Sequence, residues 1–270
     1  MAYLETAGRR IYFEHHAGTK LPLLLIHAWA MSTRVWDSTL AALLEAGHEV
    51  IAFDHRGCGN SDKDFADFSI PAIAGDAVAL IDELGLDCVA VNGWSLGGAV
   101  AAETAHRLGS RCAGLVLTCG ASPRYTQAEG FPHGGTADDV RATVAAIRPD
   151  RATFFHAIAR AVCAKPVNEA VIDWMWSIFM QAAPGADTTL GELANLDQRD
   201  LIAGLDVPLL AIVGSDDAFT PPGIGEFAVQ SSKHGKLVRF EGCGHGPMFE
   251  EYERYCAELL GFLGELERAR

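Results

Sequence analysis

Short apolar runs alternate with helix-patterned segments along most of the chain, and this alternation confines the fold more than any other feature. "LPLLLIHA" (21–28) precedes "TRVWDSTLAALLEAG", and "HEVIAFDHRG" (48–57) precedes "SIPAIAGDAVALIDELG". "CVAV" (88–91) precedes "LGGAVAAETAHRL" (96–108), and "AGLVLTCG" (113–120) ends the series. Apolar runs of this length without polar alternation are strands buried on both faces, which parallel strands achieve when crossover helices cover them. The rhythm resumes with "VPLLAIVGSDD" (207–217), "PPGIGEFAVQSSK", "GKLVRFEGCGH" (235–245) and the amphipathic "EEYERYCAELLGFLGELERAR". The N-terminal "MAYLETAGRRIYFEHHAG" reads as a β-hairpin turning at Ala7-Gly8. Together these segments predict an α/β fold with a mostly parallel eight-stranded sheet flanked by helices.

Residues 122–200 break the pattern, with no convincing strand and with helical, aromatic-rich stretches such as "VNEAVIDWMWSIFMQAA". They read as an inserted helical cap, leaving 1–121 and 201–270 as the two parts of one core. A chain of 270 residues, 49% hydrophobic, can bury such a core. Its formal charge of −14 speaks against nucleic acid and anionic membrane surfaces as partners. The expected partners are a small-molecule substrate and, with nothing in the sequence against it, further copies of the chain in a homo-oligomer. Seven cysteines without a C-x-x-C pair indicate neither a zinc ribbon nor a disulfide framework, which suits a reducing cytoplasm. No secretory leader or membrane-length apolar stretch is apparent.

The chemistry is concentrated at "VAVNGWSLGGAVAAE" (89–103), where Ser95 stands between Gly93 and Gly97 at a strand-to-helix junction. So sharp a turn strains its central residue and crowds the positions two away, which glycine tolerates. It lifts the hydroxyl clear of the sheet and aims the Leu96 N–H, in the first helical turn, at whatever lies beside it. Three fixed residues recur by chance in roughly one chain in ten of this composition, so the motif needs partners.

A serine nucleophile needs a base and a group to orient that base. In open parallel sheets these gather at the carboxyl ends of strands. "AIVGSDDAFTP" places Asp216 and Asp217 at one such end, and "FEGCGHGPM" places His245 at another. Serine, then acid, then histidine is the chain order this fold uses.

These motifs identify the chain as resembling the α/β-hydrolases over nearly its whole length outside the insertion. "DHRGCGNSD" (54–62) is similar to the family's D-x-R-G-x-G-x-S turn, and "GSDDAFTP" to its G-x-x-D-x-x-x-P acid loop, which selects Asp217 over Asp216. "GCGH" is similar to its histidine loop. Within the family, "LIHAWAMSTRVW", "ALLEAGHEVIAFDHRGCGNSD" and "LDQRDLIAGLDVPLLAIVGSDD" look like serine esterases of the cofactor-free haloperoxidase/arylesterase branch. "GWSLGG" also resembles the carboxylesterase that acts in biotin synthesis on a carrier-bound methyl ester. That likeness is shorter, and the acidic composition disfavours an acidic carrier. The resemblance implies Ser95, Asp217 and His245 as catalytic residues, Leu96 and Trp29 N–H as oxyanion donors, and no metal or organic cofactor.

One departure stands out: the family has His-Gly after the third strand where this chain has His27-Ala28. The added methyl is expected to alter the oxyanion loop slightly, and His27 to order that loop without proton chemistry. His55 and Arg56 brace the next turn, through Asp-Arg pairing within "DHRGCG". Cys243 and Cys163 read as packing residues, and Trp94 as buried in the elbow. Some of Phe154, Phe155, Trp174, Trp176 and Phe179 pack inside the cap. Trp29, Phe154, Trp174, Trp176 and Phe179 are the candidates for a wall against an apolar or aromatic substrate.

The leading expectation is a carboxylic ester hydrolase. Lactone or C–C bond hydrolysis with the same triad, peracid formation, and a non-catalytic ligand cradle are the alternatives. Dehalogenase and epoxide hydrolase relatives carry aspartate where Ser95 stands, which disfavours them.

Overall fold

A computed structural model describes residues 2–270. One eight-stranded sheet runs in the order β1-β2-β4-β3-β5-β6-β7-β8. The strands are β1 (Ala2–Thr6), β2 (Arg9–His16), β3 (Lys20–Ile26), β4 (His48–Phe53), β5 (Val89–Trp94), β6 (Cys112–Thr118), β7 (Leu209–Gly214) and β8 (Gly235–Phe240). Only the β1–β2 and β2–β4 pairings are antiparallel; the others are parallel. The hairpin turns on Ala7 and Gly8, both with positive φ (49° and 70°), the backbone twist that two-residue hairpin loops prefer. β5 and β7 are buried at every position, while edge strand β8 buries only Val238 and Phe240.

β5 extends three residues beyond the apolar "CVAV" run, through Asn92 and Gly93 to Trp94. Ladder hydrogen bonds do not require an apolar side chain, and Asn92 and Gly93 pair with Leu25 and Ile26 of β3. The buried Asn92 amide is satisfied by the Tyr255 hydroxyl (3.1 Å) and by the Thr118 hydroxyl (2.9 Å).

The helices are α1 (Asp37–Glu45), α2 (Ile70–Glu83), α3 (Leu96–Leu108), α4 (Ala137–Ile147), α5 (Arg151–Ala161), α6 (Glu169–Phe179), α7 (Thr189–Glu192), α8 (Arg199–Gly204), α9 (Pro222–Ser231), α10 (Pro247–Glu250) and α11 (Tyr252–Ala269). α1 packs on α11, while α2, α3, α8 and α9 form a second group against the sheet. Between β6 and β7 the described residues contribute helices and two isolated bridges, and no strand of the sheet. The expected boundary at residue 200 falls inside α8. The residue before that helix, Gln198, donates to the Ala99 carbonyl of α3 (2.8 Å), so the helix is anchored on the core.

The turn after β4 is built differently from the expected Asp-Arg pairing. Asp54 spends its carboxylate on the backbone N–H groups of Thr33 (2.7 Å) and Asn60 (2.7 Å). Arg56 instead reaches Asp76 of α2 with Nη2 at 2.8 Å, and both side chains are buried. The Asp54 carboxylate is satisfied by one N–H of its own turn and one from the segment after β3, which leaves the Arg56 guanidinium to tie the turn to a helix.

The carboxyl ends of β3, β5, β6, β7 and β8 lead into the loops that carry Trp29, Ser95, Cys119, Asp217 and His245. The fold thereby gathers residues from five separate stretches of chain at one edge of the sheet.

Candidate active site

Ser95 is the one residue between β5 and α3, and it adopts φ 58°, ψ −123°, a region costly for any residue with a Cβ. The neighbouring glycines are a steric necessity. A Cβ at Gly93 would lie 2.1 Å from the Gly97 carbonyl oxygen, and one at Gly97 would lie 2.4 Å from that of His27. The strain is held by β6 and the loop after it, since Ser95 N–H donates to the Thr118 carbonyl (3.1 Å) and Ala121 N–H to the Ser95 carbonyl (2.8 Å). Leu96 opens α3, so its N–H belongs to the first helical turn, where no intrahelical acceptor exists.

His245 lines one cavity with Ser95, and its Nδ1 lies 2.8 Å from Asp217 Oδ2 with both side chains buried. The other Asp217 oxygen accepts the N–H groups of Phe219 (2.8 Å) and Thr220 (2.9 Å). Burial pulls this carboxyl toward protonation, but His245 and the donors outweigh it and hold its pKa below the ordinary aspartate value. Asp216 is exposed, and among the described residues its carboxylate accepts only from the hydroxyl of its neighbour Ser215 (2.9 Å). Among the described residues no hydrogen bond joins the Ser95 hydroxyl to His245, although both line the cavity. Such contacts often tighten only when substrate binds.

Thr220 was not singled out by sequence reasoning. Its hydroxyl reaches Asp217 Oδ2 (2.8 Å), the Cys119 carbonyl (2.9 Å) and His245 Nδ1 (3.2 Å), fastening the acid loop to the end of β6. The signal available was its place three residues after the acid, where a local Asp-turn closes. Cys119 Sγ lies with Asp217 and His245 ligand atoms within 4.8 Å of one another. Burial, then the Asp217 charge, drives its thiol well above the usual range, which keeps it a protonated packing group. Burial likewise pushes Cys243 and Cys163 up to about 12.

In the loop after β3, two residues beyond Ala28, Ala30 adopts φ 53°. Ala28 lines the cavity, and Trp29 packs its ring 5.3 Å from Phe155 while its indole N–H donates to the Ala186 carbonyl (3.2 Å). Beneath them His27 and His55 stack at 3.6 Å. His27 Nε2 accepts the His55 backbone N–H (2.9 Å), so its proton sits on Nδ1, which faces the Ala28 carbonyl (2.7 Å). Burial lowers its pKa from 6.5 to about 4. Between those values the unfolded chain binds a proton that the folded one refuses, so stability falls as pH drops through this window. Wild type is therefore expected to lose about 2 kcal/mol between about pH 7.5 and pH 5 on account of His27. His27→Gln should flatten that dependence in urea titrations; an unchanged slope would rule His27 out as its source.

The expected wall is corrected in part. Trp29, Phe154 and Phe179 line a cavity of about 370 Å³ together with Ser95, Leu96 and His245, but Trp174 and Trp176 do not. Helical periodicity explains the difference, because the inward stripe of α6 is Ile172, Met175, Ile178 and Phe179, and both tryptophans fall on its flanks. Trp174 lies on a separate outer groove against Phe249 (5.8 Å). Trp176 donates to the Ala152 carbonyl (3.0 Å) beside His156. Phe155 is fully buried, stacked on Phe179 at 5.0 Å.

Glu250 is a second residue that the sequence did not reveal. One carboxylate oxygen accepts Gly244 N–H (2.8 Å) from the histidine loop, and the other accepts Ala164 (3.0 Å) and Lys165 (2.7 Å) N–H after α5. His245 N–H donates to the Val162 carbonyl (2.7 Å), so the histidine loop and the segment after α5 are latched together. Glu250→Ala orphans three donors and is expected to cost about 2–4 kcal/mol in urea unfolding. A loss below about 0.5 kcal/mol would show that water replaces the carboxylate.

Residues 22–252 match the family model described as the alpha/beta hydrolase fold. A non-heme haloperoxidase from Rhodococcus erythropolis is 29% identical, covering 95% of this chain and 96% of its own. The pimeloyl-[acyl-carrier protein] methyl ester esterase of Neisseria meningitidis is 33% identical, covering 88% and 92%. This likeness extends far beyond the "GWSLGG" segment that first suggested it. Among solved structures, an esterase from Exiguobacterium antarcticum superposes with a TM-score of 0.93 at 27% identity, covering 97% of this chain and 98% of its own. With the strand order, the elbow and the matched span in agreement, the chain belongs to the α/β-hydrolase fold family.

Proposed function

We propose that the protein is a serine hydrolase that cleaves carboxylic esters of small to medium, apolar or aromatic substrates. The observation that carries this reading is the convergence of a strained Ser95 and a buried, Asp217-bound His245 on one largely apolar cavity. Ser95 Oγ attacks the acyl carbonyl as His245 Nε2 takes its proton, while Asp217 keeps the other imidazole proton on Nδ1. The developing oxyanion is met by the N–H groups of Leu96 and Trp29, each contributing on the order of 3 kcal/mol. The alkoxide leaves with the proton from His245, and water, deprotonated by the same histidine, releases the acid. Similarity to an esterase structure and to a methyl ester esterase supports ester chemistry, and residues 122–200 act as the cap that shapes the pocket. Seven free cysteines suit a reducing, cytoplasmic setting.

The test pairs a serine-directed fluorophosphonate, read by intact mass and peptide mapping, with a panel of short p-nitrophenyl esters. A single adduct on Ser95 with ester turnover is expected. Neither adduct nor turnover would reject the reading in favour of a ligand-binding role.

A further inference from the structure

Among the described residues the cavity wall holds no Asp, Glu, Lys or Arg, so apart from His245 it offers no partner for a charged substrate group. Outside Ser95 and His245, nearly every polar side chain on it is already engaged. Trp29 Nε1 donates to the Ala186 carbonyl (3.2 Å), Trp94 Nε1 to the His245 carbonyl (2.8 Å), and the Thr143 hydroxyl to the Asp139 carbonyl (2.8 Å). Tyr125 is the exception: it lines the cavity, and its hydroxyl has no hydrogen-bond partner among the described residues. Tyr125 also lies at a junction, because it, Thr143, Leu190, Ala218 and Phe219 are shared with an outer cavity of about 170 Å³ that includes Thr136 and Asp139. An apolar inner chamber thus meets a more polar vestibule at an uncommitted phenol.

We infer that Tyr125 determines specificity by donating a hydrogen bond to an acceptor oxygen, such as an ether, a ketone or a second ester, on an otherwise apolar and uncharged substrate. The inference rests on the ester-hydrolase reading and narrows its substrate class. The hydrocarbon part of the substrate fills the inner chamber, and the oxygen-bearing part lies toward the vestibule. Burial, with the Asp217 charge adding to it, pushes the phenol up to about 12, so the hydroxyl is a donor at working pH. A pocket with an unpaired donor discriminates against a ligand that leaves it unpaired.

The experiment compares p-nitrophenyl hexanoate with isosteres in which one methylene at successive positions is replaced by an ether oxygen, on wild type and Tyr125→Phe. One isostere is expected to exceed hexanoate in kcat/KM by about fivefold to tenfold relative to the same ratio in Tyr125→Phe. The variant ratio corrects for the intrinsic reactivity of each ester. Calorimetric binding of the matching N-alkyl amides, which are not turned over, should show the same Tyr125-dependent preference. An equal ratio in both proteins at every position, in kinetics and in amide binding, would overturn the inference. Because amide binding needs no turnover, failure of Tyr125 is distinguishable from failure of Ser95, which is read by labelling and by hexanoate hydrolysis.

Discussion

Ser95→Ala is expected to lower kcat on any ester substrate by at least about 10⁴-fold while leaving the fold intact. The hydroxyl makes no hydrogen bond that holds the elbow among the described residues; the elbow is held by backbone bonds to Thr118 and Ala121. Alanine keeps the Cβ and therefore the strain of φ 58°, so unfolding free energy should change by less than about 0.5 kcal/mol. Ser95→Gly should be equally inactive but more stable than Ser95→Ala by about 1 kcal/mol, because glycine alone accepts that conformation without strain. Urea midpoints of the two variants separate the chemical role of the side chain from the cost of its placement. Turnover by Ser95→Ala within about tenfold of wild type would remove Ser95 as nucleophile. Equal midpoints would mean that the elbow stores no strain.

Asp217→Asn carries the second large effect, a loss of about 10⁴-fold in kcat. The geometry dictates which way the asparagine must turn. One oxygen of Asp217 accepts two backbone N–H groups, from Phe219 and Thr220, so an asparagine must place its carbonyl there and its NH₂ toward His245. The imidazole nitrogen facing it then has to accept, which moves the ring proton to Nε2. A histidine protonated at Nε2 cannot take the serine proton. Asp216→Asn should remain near wild type, since Asp216 is exposed and among the described residues its carboxylate accepts only from Ser215. The reverse pattern in kcat/KM would reassign the acid.

Much of this architecture was legible in the chain because its signals are local. Apolar runs buried on both faces, helix-patterned spacers and a two-residue hairpin turn each report a backbone preference acting over a few residues. The eight-stranded, mostly parallel sheet is the sum of those preferences. The elbow was legible because crowding writes itself into composition: a Cβ at Gly93 would meet the Gly97 carbonyl four residues on, within the elbow itself, and one at Gly97 would meet the His27 carbonyl after β3. The separation of Asp217 from Asp216 could be anticipated only through resemblance to a family motif. The structure supplies its physical basis in the turn that Phe219 and Thr220 close on the carboxylate.

The contributions of Glu250 and Tyr125 could not be read from the chain, and that of Thr220 only as far as the local Asp-turn it closes. Each depends on elements distant in sequence, with Thr220 meeting the end of β6, Glu250 joining the histidine loop to the segment after α5, and Tyr125 standing between two cavities. The two α6 tryptophans show the same limit from the other side. An aromatic-rich helix announces that something apolar is near, but which residues face inward depends on how the helix is rotated against its neighbours, and packing against α5 sets that rotation. By itself, the sequence determined the fold class, the elbow and the order of the candidate catalytic residues, because backbone sterics and hydrophobic period act locally. Only the tertiary structure decided which side chains form the pocket wall, which carboxylates serve as latches and which phenol stands where two cavities meet, because those outcomes depend on through-space partners that no stretch of chain contains.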